Sequence, residues 1–229
     1  MSNSGFPVLK SPVGVSMAVV VLLGVTIAID LFAVWVGFEQ RSLAADFVAG
    51  HFSAGSLADA DRIDLLYGAA SVAQGCAIVA TAVVFIVWFR RVRINAEVFR
   101  PDGHRRSRGW ASWGWFVPIV NLWAPRQVAT DTWDASLPEA GLIPQKHPHT
   151  VINRWWSLWL AGNAIGGVAS SQYDKAESIG EIRTAAQMLM LSDALDIAAA
   201  VAAIIFVRSL TRMQNEKALR GPAMVPFPA

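Results

Sequence analysis

Apolar residues run in long blocks along this chain rather than at alternate positions, so the pattern predicts helices and no sheet. A helix needs roughly 20 apolar residues to cross a bilayer core about 30 Å thick. Val15 to Val36 meets that length, interrupted by Asp30, and Leu65 to Phe89 meets it without a charge. Gln187 to Val207 does so while carrying Asp193 and Asp196. Arg154 to Ser170 is shorter, is uncharged after Arg154, and opens with Trp155, Trp156 and Trp159, where an interfacial aromatic belt is expected. The first block is too long for a signal-peptide core and no convincing small-residue cleavage site follows it, so it reads as a retained helix. A fifth block, Trp110 to Trp123, contains Pro118 and runs into Pro125 and Arg126. At 1.5 Å per residue it reaches only about 21 Å, too short to cross.

The pattern therefore predicts an all-α integral membrane protein. Four transmembrane helices (about 15–36, 65–89, 154–170 and 187–207) form a single transmembrane domain, 15–215. A short Pro-broken helix, 110–134, is expected to be re-entrant or interfacial. Residues 1–14 form a polar lead and 216–229 a tail, its last residues frayed. Residues 39–64 read as an acidic outer loop, with an apolar piece (Leu43, Phe47, Val48, Phe52) fit to lie on a membrane surface.

Charge sets the orientation. With four crossings, one side holds fifteen Lys/Arg and the other four. Cytoplasmic loops carry the basic excess, so both termini are expected to be cytoplasmic, in the plasma membrane. A crossing by the Trp110 block would put the basic tail outside, against the same rule. The net charge of +2 thus hides a polarised distribution: fifteen basic and six acidic residues inside, four basic and eight acidic outside, three acids in the spans.

Composition narrows the classes further. With 54% hydrophobic and 16% charged residues, the chain is poorer in charge than a soluble domain at about 25%. It is too apolar for disorder, and a single cysteine excludes a disulfide scaffold. None of the four histidines lies in a span, so a bis-histidine haem within the bilayer is excluded. His147 and His149 form a loop pair of little weight as metal ligands. There is no H-E-x-x-H, P-loop or C-x-x-C, so no cofactor, no metal and no catalytic motif is expected.

Ionisable groups within a span are functional candidates by default. Asp30 lies six residues before the outer end of its span and Asp193 six after the outer start of the last. Both are therefore about 9 Å deep. Asp193 and Asp196, at i and i+3, share a helix face. The trio could bind a cation or a proton. The plainer alternative is carboxylates reached by water, or hydrogen-bonded to Gln74 and Ser192.

In the broken segment, Pro118 and Pro125 free backbone carbonyls that Asn121 and Arg126 could satisfy. Broken helices at cavities build transporter sites. The alternative is a Trp-anchored plug with Arg126 paired to Asp131 or Asp134. Arg90, Arg91, Arg93, Arg105, Arg106 and Arg108 form a juxtamembrane patch suited to anionic lipid headgroups, with no nucleic-acid fold beside it. Gly162-x-x-x-Gly166 marks a close helix contact, within the chain or between copies.

The runs WFRRVRINAEVF from Trp88 and GWASWGWFVPIVNLWAPRQVATDTW up to Trp133, with NRWWSLWL and VRSLTRMQ later, resemble the family named domain of unknown function 4328. These are bacterial membrane proteins, and the resemblance covers about residues 80–216. The matching residues are Trp88, Asn95, Trp115, Pro118, Asn121, Trp123, Pro125, Arg126, Trp155 and Trp156. The resemblance implies a multi-span membrane protein and no activity. Two function classes stand. The first is a non-enzymatic membrane module that is structural or regulatory, or binds a membrane-protein partner or a second copy. The second is a small transporter or channel using Asp30, Asp193, Asp196 and the broken helix. What divides them is whether those carboxylates meet.

Overall fold

The computed structural model describes residues 8–51, 55–138 and 149–220. Among them every regular element is a helix: α1 (Val13–Val48), α2 (Ser56–Phe99), α3 (Trp110–Trp113), a 3₁₀ turn (Val120–Leu122), α4 (Ala124–Ser136), α5 (Thr150–Tyr173) and α6 (Ile179–Arg220). Three of them, over Val13–Phe47, Ala58–Phe99 and Gly180–Arg220, are long and apolar enough to cross a membrane. At 24 residues α5 is also long enough, but Arg154, Asn163 and its serines keep it below that hydropathy.

The helices outrun the apolar blocks, which corrects two loops. Most of the stretch 39–64 is helical, because α1 continues to Val48 and α2 starts at Ser56. What stops α1 is Gly50, at φ +76°. His51 N–H donates to the Asp46 carbonyl at 3.0 Å and Gly50 N–H to that of Phe47 at 3.2 Å. This is the Schellman pattern, in which a left-handed glycine turns two N–H groups back onto the last turn. Leu43 and Phe47 of the expected surface piece belong to α1, while Phe52 lies outside the described residues, as do His147 and residues 1–7 and 221–229. The arginine-rich stretch after Phe89 likewise begins as helix and ends before Pro101, which cannot continue it.

By packing, the chain falls into two units. One comprises Met1–Val20, Val83–Asn153 and Ile204–Ala229, the other Val21–Ala82 and Arg154–Ala203. In the first, Trp88, Phe89, Val92, Val128, Ile152, Phe206 and Leu210 form a closed core. The Trp88 ring meets Phe206 edge-on at 5.6 Å, and its indole N–H donates to Thr211 Oγ1 at 3.1 Å. Trp133 stacks on Phe206 from α4.

Beneath this aromatic cluster lies a buried polar knot. Asn95 Nδ2 donates to Gln214 Oε1 at 3.1 Å, and Gln214 Nε2 donates to the Val92 carbonyl and to Ser136 Oγ. Asn95 also takes the Lys10 N–H and donates to the Lys10 carbonyl. It thereby fixes the polar lead to α2. Buried polar groups are tolerated when paired in this way.

In the second unit the Gly162-x-x-x-Gly166 face of α5 lies against Ser192 and Asp196 of α6. A Cβ on Gly166 would stand 2.7 Å from Ser192 Oγ, and one on Gly162 would collide with Asp196 Oδ1. Trp155 and Trp156 are buried and continue into a stack with Trp159. They pack inward rather than forming an exposed aromatic belt.

Candidate functional site

The chemistry-bearing residues of the second unit gather around one side chain. Gln74 sits on the uncharged stretch of α2, and its Nε2 donates to Asp30 Oδ1 at 3.1 Å and to Asp193 Oδ1 at 2.9 Å. The two carboxylates therefore lie no farther apart than two hydrogen bonds laid end to end. Asp30 is 3% exposed, and its second oxygen is buried without a partner. Asp193 feels the charges of both Asp30 and Asp196, and Asp196 that of Asp30. Asp196, one helical turn further along α6, lies over Gly162, where the missing side chain leaves it room. Ser192 donates to the Gly162 carbonyl at 3.3 Å and closes the same contact.

Three acids thus share a neighbourhood in which Gln74 supplies an amide donor, and among the described residues none of the ion pairs reaches them. Like charges this close repel strongly in a low-dielectric setting. Among the described residues no three His, Cys, Asp or Glu side chains are placed to hold a metal ion.

The sequence pointed to the acids and to Gln74, but not to the aromatic pair beyond them. Tyr67 lies two turns along α2 from Gln74 and stacks on Tyr173 at 5.4 Å. Tyr173 accepts from Gln40 Nε2 at 3.1 Å. The signal available was that the chain has only two tyrosines, one of them at heptad spacing from Gln74. Elsewhere in this unit a cavity of about 250 Å³ opens between the ends of α1 and α2, with Trp35, Glu39, Asp46, Asp59 and Arg62 in its walls.

The family-like residues of the broken segment sit in the first unit. Pro118 lies in the break, Asn121 in the 3₁₀ turn, and Trp115 points inward to Phe85 and Phe89 at 5.7 and 6.0 Å. Two expectations need correction here. Pro125 does not interrupt a helix but starts α4, where its fixed φ and missing N–H are harmless. Arg126 bonds neither Asp131 nor Asp134 and instead donates twice to Asn153 Oδ1. Asp131 is held by Arg105, and Asp134 by His149.

The arginine patch is divided. Arg93 is 1% exposed and bonds Glu97 and the Arg106 carbonyl, so it cannot face headgroups. Arg106 donates to Gln127 and lies over the Trp110 ring. Arg108 pairs with Glu97, and Arg91 donates to the Ser11 carbonyl. Arg90 is exposed.

The broken segment and the arginine patch lie within residues 52–212, which match the family model described as domain of unknown function (DUF4328). The chain belongs to that family. The DUF4328 match starts well before the resemblance seen at Trp88, taking in the whole of α2 and with it Gln74, and it also contains Asp193 and Asp196. Asp30, on α1, falls outside it. No curated protein and no solved structure matches the chain.

Proposed function

We propose that this DUF4328 protein is a small transporter or channel that passes a proton or a small cation by way of Asp30, Asp193 and Asp196. The observation that carries the reading is the single amide of Gln74 holding Asp30 and Asp193 together. Carboxylates within a span are costly, and here two of them are brought to one amide. In this reading α5 is the fourth crossing, both termini are cytoplasmic, and the protein sits in the plasma membrane. Residues 110–134 return to the cytoplasmic side without crossing. The work is non-enzymatic.

The test is flux in proteoliposomes, with pH-sensitive and sodium-sensitive dyes inside. Wild type should carry one of the two ions, and Asp30→Asn with Asp193→Asn should lower the rate at least about tenfold, the change that about 1.4 kcal/mol of barrier produces. No flux in wild type, or equal flux in both proteins, overturns the proposal.

A second reading, a non-enzymatic partner-binding or regulatory module, is favoured by another aspect of the same contact. Gln74 already gives each acid a donor, so the trio could simply fix the helix packing. The double Asn variant would then lower stability and change no flux. A partner co-purifying in mild detergent would favour it directly.

A further inference from the structure

The segment between α3 and α4 has two sides of opposite character. On one, Ala111 and Gly114 are buried and Trp115 is wedged edge-on against Phe85 and Phe89. On the other, Trp113 is 68% exposed, Phe116 66% and Ile119 70%, with Leu122 and Trp123 exposed behind them. Their three-residue spacing puts these side chains along one edge of an irregular coil. So many large apolar groups within so few residues exceed the scatter of single apolar residues normal on a surface.

The backbone adds an independent sign. Ile119 has φ +65°, a conformation that is a true outlier for a β-branched residue. Its side chain gains almost no burial within the chain in return. The turn is a γ-turn, closed within the chain by the Val120 N–H donating to the Pro118 carbonyl at 2.7 Å, and strained turns of this kind cluster at functional sites. The charges nearby indicate what the exposed side meets. Arg90, Arg105 and Arg108 are exposed in the same unit, and Arg90 lies on α2, a helix apolar enough to cross a membrane. Tryptophan and arginine at the end of a span are the composition of a bilayer interface on its anionic side.

We propose that residues 113–123 insert into the boundary between headgroups and acyl chains of an anionic leaflet. Trp113, Phe116 and Ile119 lie among the acyl chains, and Arg90 faces lipid phosphates. Trp115, pinned from behind, sets the depth. The inference rests on residues 110–134 not crossing the membrane.

The experiment uses the full chain with Cys76→Ser, which removes its exposed thiol. Phe116→Cys and Ile119→Cys each carry a nitroxide, and Asp102→Cys serves as the aqueous control. The protein is placed in vesicles of phosphatidylcholine with phosphatidylglycerol. Labels at 116 and 119 should collide with oxygen in preference to a nickel chelate by about threefold or more relative to position 102, as expected of an interfacial element. Chelate preference at 116 and 119 overturns the proposal and marks the face as open to a soluble partner. Spin–spin broadening between labels overturns it in favour of a second copy.

Brominated-lipid quenching of wild type against Trp113→Phe gives the same answer without a label. The variant should lose a measurable share of the quenching, and equal quenching counts against insertion. Pro138→Cys, at an exposed position just after α4, separates the two failures. Labelling there from outside intact cells would overturn the non-crossing topology itself. Protection there with chelate-accessible 116 would overturn only the insertion.

Discussion

Asp30 on α1 and Asp193 on α6 accept from the same nitrogen, Gln74 Nε2, at 3.1 and 2.9 Å. Gln74→Leu would remove both donors at once while leaving the acids in place. An acceptor stranded in this way costs about 1–3 kcal/mol, whereas removing donor and acceptor together comes close to neutral. With two acceptors stranded, Gln74→Leu should therefore lower the Tm in detergent by at least about 4 °C, taking 2–4 °C per kcal/mol for a chain of this size. The triple variant Asp30→Leu, Gln74→Leu, Asp193→Leu should regain most of it. A triple variant no more stable than Gln74→Leu would show that the amide is not what holds these acids.

Much of this relationship was readable before any coordinates. Uninterrupted apolar blocks fix the helices, and an acid inside such a block stands out because nothing else there is charged. Gln74 stands out in the same way. The ends of the helices were not legible, because hydropathy falls at the membrane boundary while helix geometry continues. Only Gly50 and Pro101 show where two of them stop, and each acts through the backbone rather than through polarity. The arginines misled for a related reason: Arg93 and Arg91 look alike in sequence, yet helical rotation buries one against Glu97 and leaves the other reaching Ser11.

Three glycines of α5 make a graded test of the helix contact. A methyl group at Gly162 meets Asp196 Oδ1 and one at Gly166 meets Ser192 Oγ, while one at Gly167 meets nothing within 4 Å. Gly162→Ala should cost about 1–3 kcal/mol, the range for overpacking a close contact. Gly167→Ala should gain about 0.5–1 kcal/mol from helix propensity. Adding Asp196→Ala to Gly162→Ala should recover part of the loss, and thermal melts of the set give the answer. Equal losses at 162 and 167 would rule out the contact as the cause.

Arg105 and Arg212 both form ion pairs, with unequal expectations. Arg105 bonds Asp131 and Thr130, and the Asp131 side chain is only 7% exposed. Arg212 and Glu216 meet at 3.5 Å in the open. Arg105→Gln would leave Asp131 the backbone N–H of residue 105 at 2.9 Å but no guanidinium, and a buried carboxylate that loses its charged partner is destabilising, whereas an exposed pair is worth about 0–1 kcal/mol. Arg105→Gln should lower the Tm by several degrees, about 3–6 °C, and Arg212→Gln by less than about 2 °C. The gap should survive added salt, since screening acts mainly on exposed charges. Two variants melting together would remove Arg105 as an anchor of α4.

His104, in the connection after α2, carries the last prediction. Its Nε2 lies 2.9 Å from the Arg100 carbonyl and so holds the ring proton, which leaves Nδ1 as a buried nitrogen without a partner. Burial, followed by the charge of Arg93, holds its pKa below the usual value of 6.5, although the Arg100 carbonyl and Glu97 pull the other way. Because the unfolded chain then takes up the proton first, stability is complete above about pH 6.5 and falls as acidification carries the pH below it. His104→Gln keeps an N–H for the Arg100 carbonyl and cannot titrate. Between pH 7.5 and 5.5 the wild type should therefore lose more Tm than the variant. The difference should be only about 1–2 °C, because water screens a partly exposed ring. Parallel Tm–pH curves would mean that the ring is not held neutral by its surroundings, and a steeper fall in His104→Gln would reverse the sign of the argument.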